Sequence, residues 1–155
     1  MSYIVRTASA ADIDAVTLYR ILQVRVDVFI VEQAAPYDDI DGRDVEPGAE
    51  LMWAEEDGRV LATLRILDEP ADGAMRIGRV ATAASARGRG IAGDLMRRAV
   101  ERCIERRPSS PILLGAQSHL VDWYGRFGFV VEGEPYSEDA IPHRRMRRPA
   151  GPTLG

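Results

Sequence analysis

The sequence predicts a mixed α/β (α+β) domain with a single central β-sheet of about six to seven strands flanked by helices. Three observations predict it. LMWAEE (51–56) and VLATLRIL (60–67) are apolar strand-like runs on either side of Asp57-Gly58, a strong hairpin signal. A long amphipathic helix follows a glycine-rich turn over 90–107. Beyond it, strand-like segments are interrupted by one short helical pattern. The 155 residues make one domain of ordinary size. Hydrophobic residues at 46% and charged residues at 28% are the composition of a folded chain.

Taken in order, YIVR (3–6) is a short strand. Ser9 is placed to cap a helix beginning near Asp12, with Ile13, Val16, Leu18, Ile21, Leu22, Val24, Val28 and Phe29 at helical spacing. EQAAPYDDIDGRDVEPG (32–48) is acidic and rich in Pro and Gly, and reads as a loop. After the hairpin, the loop DEPADGA (68–74) leads into the strand MRIGRVATA (75–83). In the helix over 90–107, Ile91, Leu95, Ala99, Val100, Cys103 and Ile104 line one face, and Arg106-Arg107-Pro108 ends it. ILLGAQ (112–117) is a buried strand, HLVDWYGRF (119–127) a short helix, and FVVEGE (129–134) a strand. A last strand near 143–147 completes a single domain over 1–148, and PAGPTLG (149–155) is expected to be a flexible tail.

The net charge of −4 gives no electrostatic reason to expect nucleic acid or an anionic membrane as partner. All 20 basic residues are arginine, which excludes a Walker loop and lysine Schiff-base chemistry. Cys103 has no partner for an internal disulfide and falls on the apolar helix face, so core packing is its expected role. MSYIVRTASAADIDA does not read as a signal peptide, and no stretch approaches a membrane span. The expectation is a cytoplasmic protein.

The stretch ARGRGIAG (86–93) can be parsed as G-x-G-x-x-G (Gly88, Gly90, Gly93) or as R-x-x-G-x-A (Arg87, Gly90, Ala92). Both put phosphate oxygens on a helix N-terminus. The first, a dinucleotide fingerprint, requires an acidic residue at the end of the next strand and further βαβ units. That strand ends Leu114-Gly115-Ala116-Gln117, and the remaining C-terminal segments read as antiparallel. The second needs only a strand, outward N–H groups, glycines and a helix dipole, with Arg87 and Arg89 adding charge.

RIGRVATAASARGRGIAG (76–93), the helix and strand after it, and WYGRFGF (123–129) resemble the GCN5-related N-acetyltransferase (GNAT) family. LYRILQVRVDVFIVEQAAPYDDIDGRD (18–44), IGRV (77–80), LGAQSHL (114–120) and IPH (141–143) are similar to its ElaA-like branch, so the resemblance covers almost the whole chain. It implies a GNAT fold in which two parallel strands splay apart around 80–82 and 114–117 and admit the pantetheine of acetyl-CoA as co-substrate. The implied cofactor-binding residues are Val80, Ala81 and Thr82 on the strand, Arg87, Gly88, Arg89, Gly90, Ile91, Ala92 and Gly93 in the loop, with Gln117 and Tyr124. A backbone N–H near Ala81 would meet the oxyanion. Ala92 stands where the family's second small residue is often Gly, and Gln117 where many members have Asn.

Tyr124, four residues before Gly128-Phe129, is the candidate general acid, because a phenol near 10 keeps its proton above the range of a thiol. The base is open between Glu32, His119 and His143. Asp38, Asp39, Asp41, Asp44 and Glu46 form either a solvated loop or an acidic rim that attracts a cationic amine. Calcium fits poorly there, because Arg43 occupies a ligand position, and no metal is expected. Acetyl transfer to a primary amine of a small molecule or peptide is therefore the leading expectation, with any homodimer forming at exposed sheet edges. Two alternatives stand beside it. One is an acyl-homoserine-lactone synthase, echoed by Arg25, Val28, Phe29, Glu32, Asp41 and Asp44; the other is a non-catalytic CoA-binding regulatory domain.

Overall fold

In the computed structural model, which describes residues 2–35 and 38–151, seven strands form one mixed sheet. They are β1 (Ile4–Ala8), β2 (Glu50–Glu56), β3 (Arg59–Glu69), β4 (Ala74–Thr82), β5 (Ile112–Gln117), β6 (Val130–Glu138) and β7 (Ile141–Arg148). Their spatial order is β1-β2-β3-β4-β5-β7-β6. Neighbours are antiparallel except β4 and β5, which run parallel because a helical crossover joins them. That crossover is α2 (Ile91–Arg106); α1 (Ala15–Val26) follows β1, and the short α3 (Val121–Gly125) follows β5.

The long apolar run of β3 is explained by coverage of both sheet faces. Successive residues of β2 separate: Leu51 and Trp53 join Ile21 and Val24 of α1 in one core. Met52 and Ala54 join Leu95, Met96, Ala99 and Val100 of α2 in the other. Cys103 belongs to that second core, and burial pushes its thiol up to about 12, which fits packing and not nucleophilic chemistry. At the β2–β3 turn Asp57 and Gly58 have φ of 51° and 75°, the pair of left-handed residues that a two-residue hairpin with the sheet's twist requires.

Several boundaries differ from expectation. Ser9 does not cap α1; its hydroxyl donates to Asp12 at 3.0 Å beside a 3₁₀ turn, Ala10–Asp12. Asp14 caps α1, accepting the Thr17 N–H at 3.0 Å and its hydroxyl at 2.8 Å, and the helix begins three residues later than expected, at Ala15. Beyond Val26 the chain widens into a π turn, Asp27–Glu32, where the Gln33 N–H reaches back five residues to Val28 at 3.2 Å. The helix expected over 119–127 is a 3₁₀ turn, Ser118–Leu120, followed by α3. The last two strands are longer than expected and meet at Asp139 and Ala140, with φ of 50° and 65°. Among the described residues no helix is long and apolar enough to cross a membrane. Of the expected tail, residues 152–155 lie outside the described residues, as do 36 and 37 of the acidic loop.

Candidate active site

The site starts from a fault in β4. Pairing with β3 slips between Thr63 and Arg65, and opposite the slip Arg79 adopts φ of 53°. An extra residue of this kind bends the bulged strand. On its other side β4 pairs with β5 only at Met75↔Ile112 and Arg76↔Leu113. Beyond those pairs the strands part, and the β5-facing edge of β4 has no strand partner there. The opening is a cleft of about 600 Å³. Gly78, Val80, Ala81 and Thr82 line one wall, and Leu114, Gly115 and Gln117 the other. The π turn contributes Val28, Phe29, Glu32 and Gln33, and the β6–β7 hairpin contributes Glu138, Asp139, Ile141 and His143.

The glycine loop stands at one end. Gly88 and Gly90 have φ of 83° and 74°, with open space where a β-carbon would lie. Gly90 precedes the 16-residue α2 with no side chain capping the first turn, so that turn's N–H groups lack intrahelical partners at the positive end of the dipole. This geometry fits a diphosphate. Arg87 and Ala92 line the cleft. Ile91 is buried in the α2 core, leaving only its backbone to offer. Arg89 turns to Glu56 of β2, at 3.1 and 3.0 Å, and Gly93 lies inside α2, within reach of Phe127.

Tyr124 lines the cleft from α3 and packs edge-on against Trp123, with ring centroids 4.9 Å apart. Its hydroxyl has no hydrogen-bond partner among the described residues, and burial pushes the phenol up to about 12. Such a phenol holds its proton at neutral pH. Glu32 is the opposite case. Arg87 donates to both its oxygens at 2.5 Å, and this lowers the Glu32 carboxyl from its ordinary value. Arg87 also donates to the Thr82 carbonyl at 3.3 and 3.2 Å. Glu32 is thus a held anion and a weak base. His119 is exposed at the cleft, and the Gln117 amide donates to Gln33 at 3.3 Å, linking β5 to the π turn.

The acidic loop differs from the sequence expectation. Asp39, Asp41 and Asp44 are neither a solvated loop nor a rim for cations, because arginines hold all three. Arg25, 1% exposed, donates to Asp39 at 3.1 Å and to Asp44 at 2.7 Å. Arg65 grips Asp41 at 2.8 and 2.9 Å, and Arg79 reaches Asp39 at 3.0 Å and Asp41 at 3.1 Å. Burial alone would raise the Asp41 carboxyl, but hydrogen bonds from Arg65 and the Arg43 N–H, with the charges of Arg65 and Arg79, hold it well below the usual range. Glu46 is taken by Arg43 at 3.1 Å, and Asp38 alone of the five is exposed. The same network accounts for Arg25, Asp41 and Asp44 of the lactone-synthase echo.

Glu138, Asp139, Gln33 and Trp123 are cleft residues that sequence reasoning missed. Trp123, inside the WYGRFGF block, and Gln33, inside the block 18–44, carried a signal that would have found them; Glu138 and Asp139 lie in no such block.

The chain matches an acetyltransferase (GNAT) domain model over residues 12–149. It is 40% identical over 132 residues to protein ElaA of Escherichia coli (strain K12), covering 84% of this chain and 86% of that one. The crystal structure of Escherichia coli ElaA aligns with a TM-score of 0.88 at 35% identity over 94% of this chain and 99% of that one. An acyl-CoA N-acyltransferase from Pseudomonas aeruginosa gives a TM-score of 0.90 at 42% identity, over 95% and 99%. The AHL synthase LasI shares the fold alone, with a TM-score of 0.74 at 16% identity over 96% and 90%. With the domain model spanning most of its length and ElaA matching over most of both chains, this protein belongs to the GNAT acyltransferase family, in its ElaA-like branch.

Proposed function

We propose that the protein transfers an acetyl group from acetyl-CoA directly to a primary amine of a small molecule or peptide. The observation that carries this reading is the parting of β4 from β5 beyond Arg76 and Leu113, with uncapped helix N–H groups at one end of the opening and an unpartnered phenol within it. The unpaired edge of β4 at Val80, Ala81 and Thr82 would take strand-like hydrogen bonds from pantetheine amides. The backbone at 88–93 would hold the diphosphate, with the Arg87 guanidinium exchanging Glu32 for phosphate oxygens. A backbone N–H near Ala81 would meet the oxyanion.

Tyr124 would supply the proton for the departing sulfur. A phenol at about 12 is a poor acid toward a thiolate taken alone, whose own value is ~8.5. It works as a relay, passing its proton to sulfur as it regains one from the acylated nitrogen. In this reading proton transfer accompanies bond cleavage and leaves no phenolate behind.

A thermal-shift comparison of acetyl-CoA, longer acyl-CoAs and NAD tests the donor. Acetyl-CoA at a hundred times Kd should stabilise the fold by about 2.7 kcal/mol. Stabilisation by NAD and not by CoA esters overturns the reading. Thiol release with a panel of amines then separates an enzyme from a CoA-binding regulator.

A further inference from the structure

Strand register sets Gln117 of β5, His143 of β7 and Tyr136 of β6 in one row across the sheet, with Gly115 and Arg145 as the next cross-strand pair on the same face. Tyr136 lies over this row. Its ring stacks on the His143 imidazole with centroids 5.5 Å apart and planes 30° apart, and the Arg145 guanidinium lies 4.9 Å from the same ring. Its hydroxyl fills the space that a β-carbon on Gly115 would need. His143 is 8% exposed and lines the cleft beside Gln117 and Glu138.

The ring's hydrogen bonds set its chemistry. Nδ1 lies 2.7 Å from the Ile141 carbonyl, so Nδ1 carries the N–H and the lone pair is on Nε2. Nε2 is 3.5 Å from a Glu138 carboxylate oxygen. A side chain held by stacking, with its tautomer set by a carbonyl and a carboxylate near its free nitrogen, is arranged to accept a proton and bear the charge. The other candidates are arranged less well. Glu32 is exposed, and its orienting hydrogen bonds among the described residues come from Arg87 alone, which would leave it for the diphosphate. Tyr124 keeps its proton, and the exposed His119 has no orienting hydrogen bond among the described residues.

We propose that His143 is the general base of the transfer, taking a proton from the acceptor's ammonium group onto Nε2 while Glu138 steadies the imidazolium. This rests on the acetyl-transfer reading above. The acceptor is then a cationic primary amine entering at the β6–β7 hairpin, where Glu138 and Asp139 line the same wall. His143 removes one proton, and the freed nitrogen pair forms a bond to the acetyl carbonyl carbon. The carbon–sulfur bond breaks with its electron pair on sulfur. Tyr124 delivers a proton to sulfur and regains the second amine proton, and His143 releases the first to water. The balance is amide, thiol and one proton.

The test uses the full chain with spermidine, a lysyl peptide and benzylamine as acceptor probes, and measures acetyl-CoA Kd separately by calorimetry. His143→Ala and His143→Gln should lower kcat about 10²-fold or more, with acetyl-CoA Kd within about twofold. Added imidazole should restore His143→Ala at least about tenfold and leave Tyr124→Phe unmoved. Glu138→Gln should lower kcat about tenfold. A His143→Gln enzyme within about threefold of wild-type kcat overturns the proposal. So does a loss that acetyl-CoA affinity follows in parallel, the signature of a packing role. Should neither His143 variant fold, Glu138→Gln keeps the ring in place, and an unchanged kcat there overturns it. Wild-type protein that binds acetyl-CoA and acetylates none of the probes also counts against it. Wild-type protein that binds no acetyl-CoA overturns the transfer reading itself, in a measurement independent of His143.

Discussion

Tyr124 and Glu32 share one cleft, yet burial acts alone on the phenol while a facing guanidinium dominates at the carboxylate. Replacing Tyr124 with Phe keeps the ring packing and removes only the hydroxyl that carries the proton. The expected result is a kcat lower by about 10²- to 10⁴-fold with acetyl-CoA affinity unchanged, read by single-turnover kinetics. Unaltered turnover would remove Tyr124 from the chemistry. At Glu32 the expectation concerns binding. Because its carboxylate occupies the Arg87 guanidinium, Glu32→Ala should tighten acetyl-CoA binding a few-fold, and the gain should shrink as salt rises. Equal or weaker affinity in a calorimetric titration at low salt would show that Arg87 does not meet the diphosphate. Tyr124 was legible from its spacing to Gly128-Phe129. Glu138 was not, because nothing near it in sequence marks it as facing a cleft wall built by elements distant along the chain.

Among the elements, those whose signals are local were read well. α2 appears from its apolar stripe and the β2–β3 hairpin from Asp57-Gly58, because helical period and left-handed turn residues are properties of neighbours in sequence. The β6–β7 hairpin escaped that logic. Its turn is Asp139-Ala140, and alanine at φ of 65° is a residue the turn tolerates at a cost. Relief of about 1–2 kcal/mol of left-handed strain should exceed the ~0.4–1 kcal/mol that glycine adds in unfolded-chain entropy. Ala140→Gly should therefore raise stability by about 0.5–1 kcal/mol, seen as a higher urea midpoint at unchanged slope. A lower midpoint would mean that the turn draws support from the fold that offsets its strain. The π turn was hidden for a different reason: residues 27–32 keep apolar spacing compatible with an ordinary helix, and only packing decides the wider winding.

Across the whole molecule, the arginines of α1, β3 and β4 converge on three aspartates of one loop: Arg25, Arg65 and Arg79 with Asp39, Asp41 and Asp44. The network pins that loop against the sheet and holds Arg79 at the bulge from which β4 leaves β5. Arg25→Met would strip Asp39 and Asp44 of a buried guanidinium, and breaking a buried pair in this way costs about 3–5 kcal/mol. Chemical denaturation should show that loss, and a change below about 1 kcal/mol would class the pair with surface ion pairs. By itself the sequence determined the α/β class, the glycine-rich turn at 88–93 that opens α2, the amphipathic α2 and the candidacy of Tyr124, since each is written in residues close along the chain. Only the tertiary structure decided that the acidic loop is spent on arginines, that Glu32 faces Arg87, and that His143 sits stacked and oriented at the cleft. The partners of a charge, and the strand beside a strand, are set by contacts between residues tens of positions apart, which no local pattern encodes.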